Sequence, residues 1–292
     1  MFTPRVGTVL TPHVFSAIVP FWRRQSPSQR VFLLIGSGLV LLYALAALTA
    51  NGLVALGLPD PQEFLAYAPQ QPPSPQHWCG TDRQGYDVLS RVIFGARAAW
   101  QVVLLATGLS LGVGFPLGAL SGYWGGKIDK LLLFIMDTIY TLPGLLLSLT
   151  VAFVVGRGVL NAAVALSIAY IPQYYRVVRN HTMSLKNEGF VEAAQALGAG
   201  SIDILVRHLS GHLSRNLPVL FSVNSADAVL TLAGLGFLGL GLPPTVPEWG
   251  HELAQALDSL PTGIWWTTLF PGLAMTGLVV GLSLVSEGLG ES

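Results

Sequence analysis

The strongest constraint on this fold is a set of long apolar stretches with almost no charge. Neither the stretch from Val31 to Leu58 nor the one between Arg97 and Lys127 contains a formally charged residue. About 20 apolar residues cross a bilayer core of roughly 30 Å. Charged residues make up only 10% of the 292-residue chain, against about 25% in soluble domains. The chain is therefore predicted to bury its apolar surface in lipid as an all-α membrane protein.

Six spans are predicted from the apolar stretches. They cover residues 31–58, 98–126, 131–155, 159–175, 216–242 and 264–286. Residues 1–30 form an N-terminal segment, 59–97 a connecting segment, and 98–292 a five-helix core that includes a polar loop at 176–215. The connection at 243–263 contains an amphipathic helix near Glu248 to Leu257.

Lysine and arginine residues predict the orientation of these spans, because they accumulate in cytoplasmic segments. With the N-terminus inside, eleven of the fifteen fall in cytoplasmic segments. These are Arg5, Arg23, Arg24, Arg30, Lys127, Lys130, Arg176, Arg179, Lys186, Arg207 and Arg215. Both termini and the 176–215 loop are thus expected in the cytoplasm, and residues 59–97 outside it.

The polar loop is predicted to hold a pair of short helices between spans four and five. The break falls at Gly198-Ala199-Gly200, with Ser201 capping the second helix and Asp203 in its first turn. Helical spacing groups Phe190 and Leu197 with Ala194 on one face, while Glu192 points elsewhere. A rigid, partly apolar projection of this kind suits a soluble partner.

Two aspartates and several glycines inside the spans carry further expectations. Asp137 and Asp227 are each interpreted as a translocation-path residue or a buried hydrogen-bonding group, since a mid-membrane carboxylate avoids lipid. Glycines in three separate runs repeat every four residues, which favours close helix packing, or a moving or inter-subunit seam. They are Gly108, Gly112, Gly114, Gly118, Gly122, Gly277 and Gly281. Trp249 and Trp265-Trp266 are interpreted as interface-belt aromatics.

Other classes of function lack support in the sequence. The net charge of zero gives no basic surface for nucleic acid. The single cysteine, Cys79, excludes an internal disulfide, and the histidines show no metal-ligand spacing. No Gly-x-x-x-x-Gly-Lys-Ser/Thr phosphate loop is present, so ATP hydrolysis by that route needs another subunit.

Several short motifs resemble those of the permease subunits of ABC importers, in the dipeptide/oligopeptide/nickel group. The cytoplasmic signature of that family matches Glu192-Ala193-Ala194 followed by Gly198. Further matches are Gly80-Thr81-Asp82, Asp87-Val88-Leu89-Ser90-Arg91, Gly122-Tyr123-Trp124-Gly125-Gly126, Phe237-Leu238-Gly239-Leu240-Gly241, Trp249-Gly250 and Phe270-Pro271-Gly272. The resemblance runs from about Arg30 to Leu289.

The resemblance implies a permease of the bacterial inner membrane that works by alternating access. Its partners would be ABC ATPase subunits carrying ATP and Mg²⁺, a second homologous permease and an extracytoplasmic substrate-binding protein. This chain would hold no cofactor of its own. The ATPase-coupling residues carried over are Glu192, Ala193, Ala194, Leu197, Gly198 and Ser201.

The resemblance also bears on the segment before the second span. Asp82, Arg83, Asp87 and Arg91 would provide the charges that dock the binding protein, or would belong to an interfacial helix leading into that span. Where the family has Leu-Pro after its signature, this chain has Ser210-Gly211, and a looser exit from the second short helix is expected.

Two rival functions come from other classes. An ion-coupled secondary transporter or channel would need paired intramembrane charges, and the sequence places no basic residue within a span. An intramembrane enzyme would need a nucleophile and a base at membrane depth, yet no histidine falls in a predicted span.

Overall fold

A computed structural model describes residues 25–290 of the chain. Most of the N-terminal segment, including Arg5, Arg23 and Arg24, lies outside the described residues. Within 25–290 the secondary structure is helical apart from one isolated antiparallel bridge between Thr81 and Asp87. The predicted all-α class is confirmed for this part of the chain.

Nine longer helices and one short 3₁₀ helix (Leu260–Thr262) account for the described fold. The nine longer helices are α1 (Pro27–Ala55), α2 (Val88–Trp124), α3 (Gly126–Tyr140), α4 (Gly144–Val155), α5 (Val159–Leu185), α6 (Gly189–Ala196), α7 (Ser201–Phe237), α8 (Trp249–Ala256) and α9 (Trp266–Leu289). Helix α8 is the predicted amphipathic piece in the last connection.

Four of the helices in residues 25–290 are long and apolar enough to cross a membrane: α1, α2, α7 and α9. Helices α3 and α4 are together apolar enough to cross, but they meet at an angle of 89°. They make a fifth span if the pair is counted as one broken span. The predicted third span is therefore broken where Pro143 precedes α4; a proline disfavours helical backbone in the residue before it. Helix α5 has 27 residues, which is long enough, but it is not apolar enough to count as a span, so six spans are not established.

The two ends of the helix bundle carry different structures. We call the end with residues 57–87 and 238–265 the Arg91 end, and the end with residues 186–216 the Gly198 end. Helices α2, α5 and α9 run toward the Gly198 end, and α1 and α7 run away from it. The Gln25 side chain donates to the Gly288 carbonyl at 3.0 Å, so both ends of the described chain lie at the Gly198 end.

Glycines let α2 approach α5 closely. A Cβ at Gly118 would lie 2.5 Å from the Tyr175 carbonyl oxygen, and one at Gly122 would lie 2.5 Å from that of Arg179. Gly281 meets α1 in a similar way, at the Leu39 Cβ. A Cβ at Gly112, by contrast, would meet nothing within 4 Å. The predicted packing role is confirmed for these glycines of α2 and α9, but Gly112 makes no such contact within the described chain.

Replacing Gly118 with valine is expected to destabilise the protein by about 1–3 kcal/mol, because the side chain must push α5 away from α2. Gly112→Val is the matched control on the same helix. Thermal unfolding in detergent should show a lower midpoint for Gly118→Val than for Gly112→Val. Equal midpoints would contradict the close contact.

The tryptophan prediction is wrong at two of its three positions. Trp249 is 2% exposed and Trp266 is 7% exposed. Their indole N–H groups donate to the carbonyls of Val92 and Thr81, each at 3.0 Å. These backbone acceptors keep both rings inside the Arg91 end, whereas Trp265 is half-exposed.

Candidate functional site

Gly198 builds the turn that ends α6. Its φ of +87° is the left-handed conformation that glycine adopts without strain. The Ala199 N–H donates to the Ala194 carbonyl at 3.0 Å, and the Gly198 N–H donates to that of Gln195 at 2.9 Å. These two bonds are the Schellman arrangement that closes a helix C-terminus, so the sequence break at Gly198 is a defined turn.

Helix α6 packs onto the ends of α2 and α5 through a single face. The buried residues of α6 are Val191 and Ala194, which join a cluster with Ala119 of α2 and Val178 of α5. Leu197 is 90% exposed and Phe190 is 39% exposed. Phe190 and Leu197 of the predicted apolar face are accessible to a partner, whereas Ala194 is buried beside Val191.

The tip of the Gly198 end, residues 197–202, presents apolar side chains without cover from the described chain. Besides Leu197, Ile202 is 67% exposed. Glu192 and Ala193 of α6 are also exposed, and Ala194 is buried. Five of the six predicted coupling residues are therefore accessible to a partner: Glu192, Ala193, Leu197, Gly198 and Ser201.

Ser201 does not cap the second short helix, so that prediction is wrong. The N-cap is Gly200, and no side chain bonds to the free amides there. Asp203 lies in the first turn as predicted and pairs with Arg207 at 3.0 Å, one turn later. Ser201 is an exposed first residue of α7.

The second short helix continues into the following span instead of ending before it. Residues 204–209 form a π-helical segment and 214–216 a 3₁₀ turn, with helical geometry on both sides up to Phe237. The Ser210 hydroxyl donates to the Val206 carbonyl at 2.5 Å. The expected loose exit at Ser210-Gly211 is wrong, because the helix is unbroken there.

Two ion pairs join α3 to α5 near the Gly198 end. Arg179 binds Asp129 through two nitrogens, at 2.5 and 2.6 Å. Arg176 binds Asp137 at 2.7 Å, and both side chains of that pair remain about half-exposed. Asp137 is thus an inter-helix partner, and both arginines lie within helix α5. The sequence interpretation missed the two arginines as helix residues because it ended the fourth span at Tyr175.

Asp227 lies on α7 with its side chain exposed. The Tyr170 hydroxyl of α5 donates to its Oδ2 at 2.9 Å. The same hydroxyl is 3.2 Å from Thr231 Oγ1. Asp227 is therefore held in place by a buried tyrosine but not covered by it.

The Arg91 end is organised around a buried arginine. Arg91 is 2% exposed and pairs with Glu252 of α8 at 2.6 Å. Its Nη1 donates to the Pro61 carbonyl at 2.8 Å, and its guanidinium stacks 4.4 Å from the Tyr86 ring centre. A single side chain thus ties the 57–87 segment to α2 and α8.

Asp87 caps α2 and is also buried. Its Oδ1 accepts from the Ser90 N–H at 2.9 Å, and its Oδ2 lies 2.9 Å from His77 Nδ1. At 3% exposure, Asp87 contributes nothing to the outer surface. Two of the four predicted docking charges, Asp87 and Arg91, therefore belong to the internal scaffold.

The other two predicted docking residues are closer to the surface. Arg83 forms an exposed ion pair with Asp258 at 3.0 Å. Asp82 is partly buried, and its Oδ1 accepts from the Gln84 and Tyr86 amides at 2.8 and 2.9 Å. Burial raises the pKa of Asp82 to about 6. Only Arg83 of the four is a freely accessible charge.

Glu248 fixes the start of α8 from inside the protein. Its carboxylate accepts from the Gly250 and His251 amides at 2.8 and 2.9 Å. It lies directly against Gly236 of α7, where no Cβ would fit. Burial raises the pKa of Glu248 to about 8, partly offset by the two amide bonds.

This raised pKa predicts the pH dependence of stability. The folded state keeps the Glu248 proton to about pH 8, whereas an unfolded glutamate releases it near pH 4.5. The folded state therefore binds more protons in this window, and the free energy of unfolding should fall as the pH rises through it. Thermal unfolding midpoints at pH 6 and pH 8.5 measure the change. Glu248→Gln cannot ionise and should show a smaller drop; the same drop as wild type would contradict the assignment.

Within residues 25–290 no group of three or more His, Cys, Asp or Glu side chains is arranged to hold a metal ion.

Comparison with known proteins agrees with the helical arrangement. Residues 114–291 match the family model described as "Binding-protein-dependent transport system inner membrane component". The chain belongs to this family. The match covers the Gly118 and Gly122 contacts of α2 with α5, the Gly198 end and α7 to α9; Arg91 and the 57–87 segment lie outside it.

Curated relatives match a larger share of the chain than the family model does. The glutathione transport system permease protein GsiD of Pectobacterium atrosepticum is 32% identical over 274 residues, covering 93% of this chain and 89% of the relative. The dipeptide transport system permease protein DppC of Alkalihalophilus pseudofirmus is 36% identical over 225 residues, covering 76% of this chain and 73% of the relative.

A solved structure has the same fold. A chain of the MetNI methionine ABC transporter, in inward-facing conformations, aligns with a TM-score of 0.54. The alignment is 18% identical and covers 67% of this chain and 91% of that chain. The predicted family resemblance is confirmed by these comparisons.

Proposed function

We propose that this chain is a membrane-spanning permease subunit of an ATP-driven ABC importer for peptides or a related small solute. The family match and the glutathione and dipeptide permeases among its relatives support the class of cargo. The observation that carries the proposal is the exposed tip at residues 197–202, held rigidly by the Schellman turn and continuous with α7.

The tip is proposed to receive movement from an ATPase subunit. Leu197 and Ile202 offer apolar contact area, and Glu192 offers a charge beside it. Because α7 begins at Ser201 and runs unbroken to Phe237, a push on the tip would tilt a membrane helix without a flexible joint. ATP and Mg²⁺ would bind the ATPase subunits, and a second permease would complete the path.

The proposed orientation places the Gly198 end in the cytoplasm and the Arg91 end outside. The lysine and arginine distribution supports this, and both described termini lie at the Gly198 end. Helix α5 is proposed as the sixth span. Its alanine- and tyrosine-rich face is buried against other helices, so its polar residues need not face lipid.

The Arg91 end is proposed to meet the substrate-binding protein through its exposed surface. Arg83 and Asp258 are the accessible charges there, while Arg91 and Asp87 hold the surface in shape. Arg83→Glu is expected to weaken binding of that protein with little effect on folding.

Co-purification in mild detergent tests the proposal. A tagged form of this chain is expected to bring down an ATPase and a second permease, and Leu197→Asp should lose the ATPase selectively. Recovery of the chain alone in an active state would favour an ion-coupled secondary transporter. The relatives do not support that alternative.

A further inference from the structure

Asp227 lies midway along the apolar part of α7. It is the eleventh residue of the 21-residue segment Leu217–Phe237, so about 15 Å of helix extends on either side at 1.5 Å per residue. Its side chain is exposed. Its neighbours one turn away, Val223 and Leu230, are each 48% exposed. This face of α7 is therefore uncovered near the membrane centre.

Lipid is a poor environment for this carboxylate. An aspartate at the middle of a membrane helix costs about 2.5–3.5 kcal/mol on insertion scales. Such residues face the protein interior or water. The uncovered face of α7 around Asp227 is thus expected to border an aqueous path.

The charge of Asp227 has no counterion in the described part of the chain. The ion pairs between its membrane helices join Asp129 to Arg179 and Asp137 to Arg176. Neither pair includes Asp227. Its one close polar partner is the neutral Tyr170 hydroxyl. The path would therefore present a carboxylate without a basic partner at this depth.

Tyr170 orients this charge. The tyrosine is 2% exposed, and its hydroxyl is also 3.2 Å from Thr231, which is 8% exposed. The bond fixes Oδ2 and leaves Oδ1 free to accept from an incoming donor. A preorganised acceptor of this kind costs little to reorganise when a cation arrives.

We propose that Asp227 binds the ammonium group of the cargo as it crosses the membrane, with Tyr170 as the residue that positions its carboxylate. This inference rests on the proposed function, because a peptide with a free amino terminus carries the required cation. It adds a selectivity step inside the permease, for cargo with a protonated amine over cargo of the same size without one.

Uptake by the complete transporter in proteoliposomes tests the inference. The probes are a dipeptide with a free amino terminus and its N-acetylated counterpart, each labelled at carbon. Asp227→Asn should raise the KM for the free dipeptide about tenfold, as for a lost charge-assisted hydrogen bond. The preference over the acetylated form should shrink by a similar factor. Tyr170→Phe should shift both values in the same direction by a smaller factor, and Asp227→Glu should retain the preference.

Asp137→Asn is the matched control, because that carboxylate already has Arg176 as its partner; it should leave the preference unchanged. If Asp227→Asn keeps the wild-type preference for the free dipeptide over the acetylated one, the inference is overturned. Uptake of the dipeptide by the wild-type complex would still support the proposed function in that case. Asp227→Asn could instead purify without the second permease while Tyr170→Phe keeps the wild-type preference. That result would assign the carboxylate to subunit pairing and would also overturn the inference. A wild-type complex that moves no peptide overturns the proposed cargo, and this inference with it.

Discussion

Replacing Arg91 with methionine is expected to lower the free energy of unfolding by about 3–5 kcal/mol. The change leaves the Glu252 carboxylate buried without its cation, and the Pro61 carbonyl without its donor. A buried charge without a partner is far more costly than the loss of the pair's own attraction. In a chain of this size the midpoint of thermal unfolding should fall by about 10 °C.

The matched control is Arg83→Met, which removes an arginine from an exposed pair at the same end of the molecule. Its partner Asp258 is 75% exposed on its side chain, so the expected loss is under about 1 kcal/mol. Both variants are compared by fluorescence-detected thermal unfolding in detergent. Similar midpoints for the two would mean that Arg91 does not hold the Arg91 end together.

A double variant separates the charge effect from the packing effect. Glu252→Leu alone should also be destabilising, because it leaves Arg91 buried without its carboxylate. Arg91→Met combined with Glu252→Leu should be more stable than Arg91→Met alone, since apolar pairs can replace buried ion pairs. Full recovery is not expected, because the carbonyls of Pro61 and Pro244 still lack their donor.

The membrane helices could be predicted from sequence because apolar stretches this long and free of charge are stable only when buried in lipid. α1, α2, α7 and α9 all lie within or around predicted spans. Their boundaries were less predictable. α2 begins ten residues before the predicted span, at Val88, because the buried carboxylate of Asp87 caps the helix there.

The partners of the candidate residues could not be predicted from sequence. Arg91 and Glu252 are 161 positions apart, and no local pattern indicates that they meet. The four charges at 82–91 look alike in sequence, yet folding buries Asp87 and Arg91 and exposes Arg83. Burial depends on which distant segment covers each side chain.

The turn at Gly198 was predictable, whereas the direction of the flanking faces was not. A glycine between two helical patterns indicates a break, and the Schellman turn fulfils it. The inward face of α6 is set by Val191, which meets α2 and α5. Phe190 instead stacks on His212 of α7, with ring centres 5.2 Å apart. These contacts depend on tertiary packing.

Replacing Gly198 with valine is expected to reduce uptake at least tenfold while the ATPase subunits still hydrolyse ATP. A β-branched residue is strained at a φ of +87°, so the Schellman turn should open and the tip at 197–202 should lose its fixed position. Because α7 starts at the tip, the proposed transfer of movement to the membrane helices would fail. Uptake and ATP hydrolysis are measured on the same proteoliposomes, and their ratio reports coupling.

Two control variants distinguish backbone strain from the added bulk. A Cβ at either Gly198 or Gly200 would meet nothing within 4 Å, but Gly200 has an ordinary φ of −73°. Gly200→Val therefore adds the same bulk without the left-handed strain and should retain most of the coupling. Gly198→Asn should also retain it, because asparagine tolerates the left-handed conformation. If Gly198→Val and Gly200→Val show the same ratio of uptake to hydrolysis, the rigid turn is not what transmits the movement.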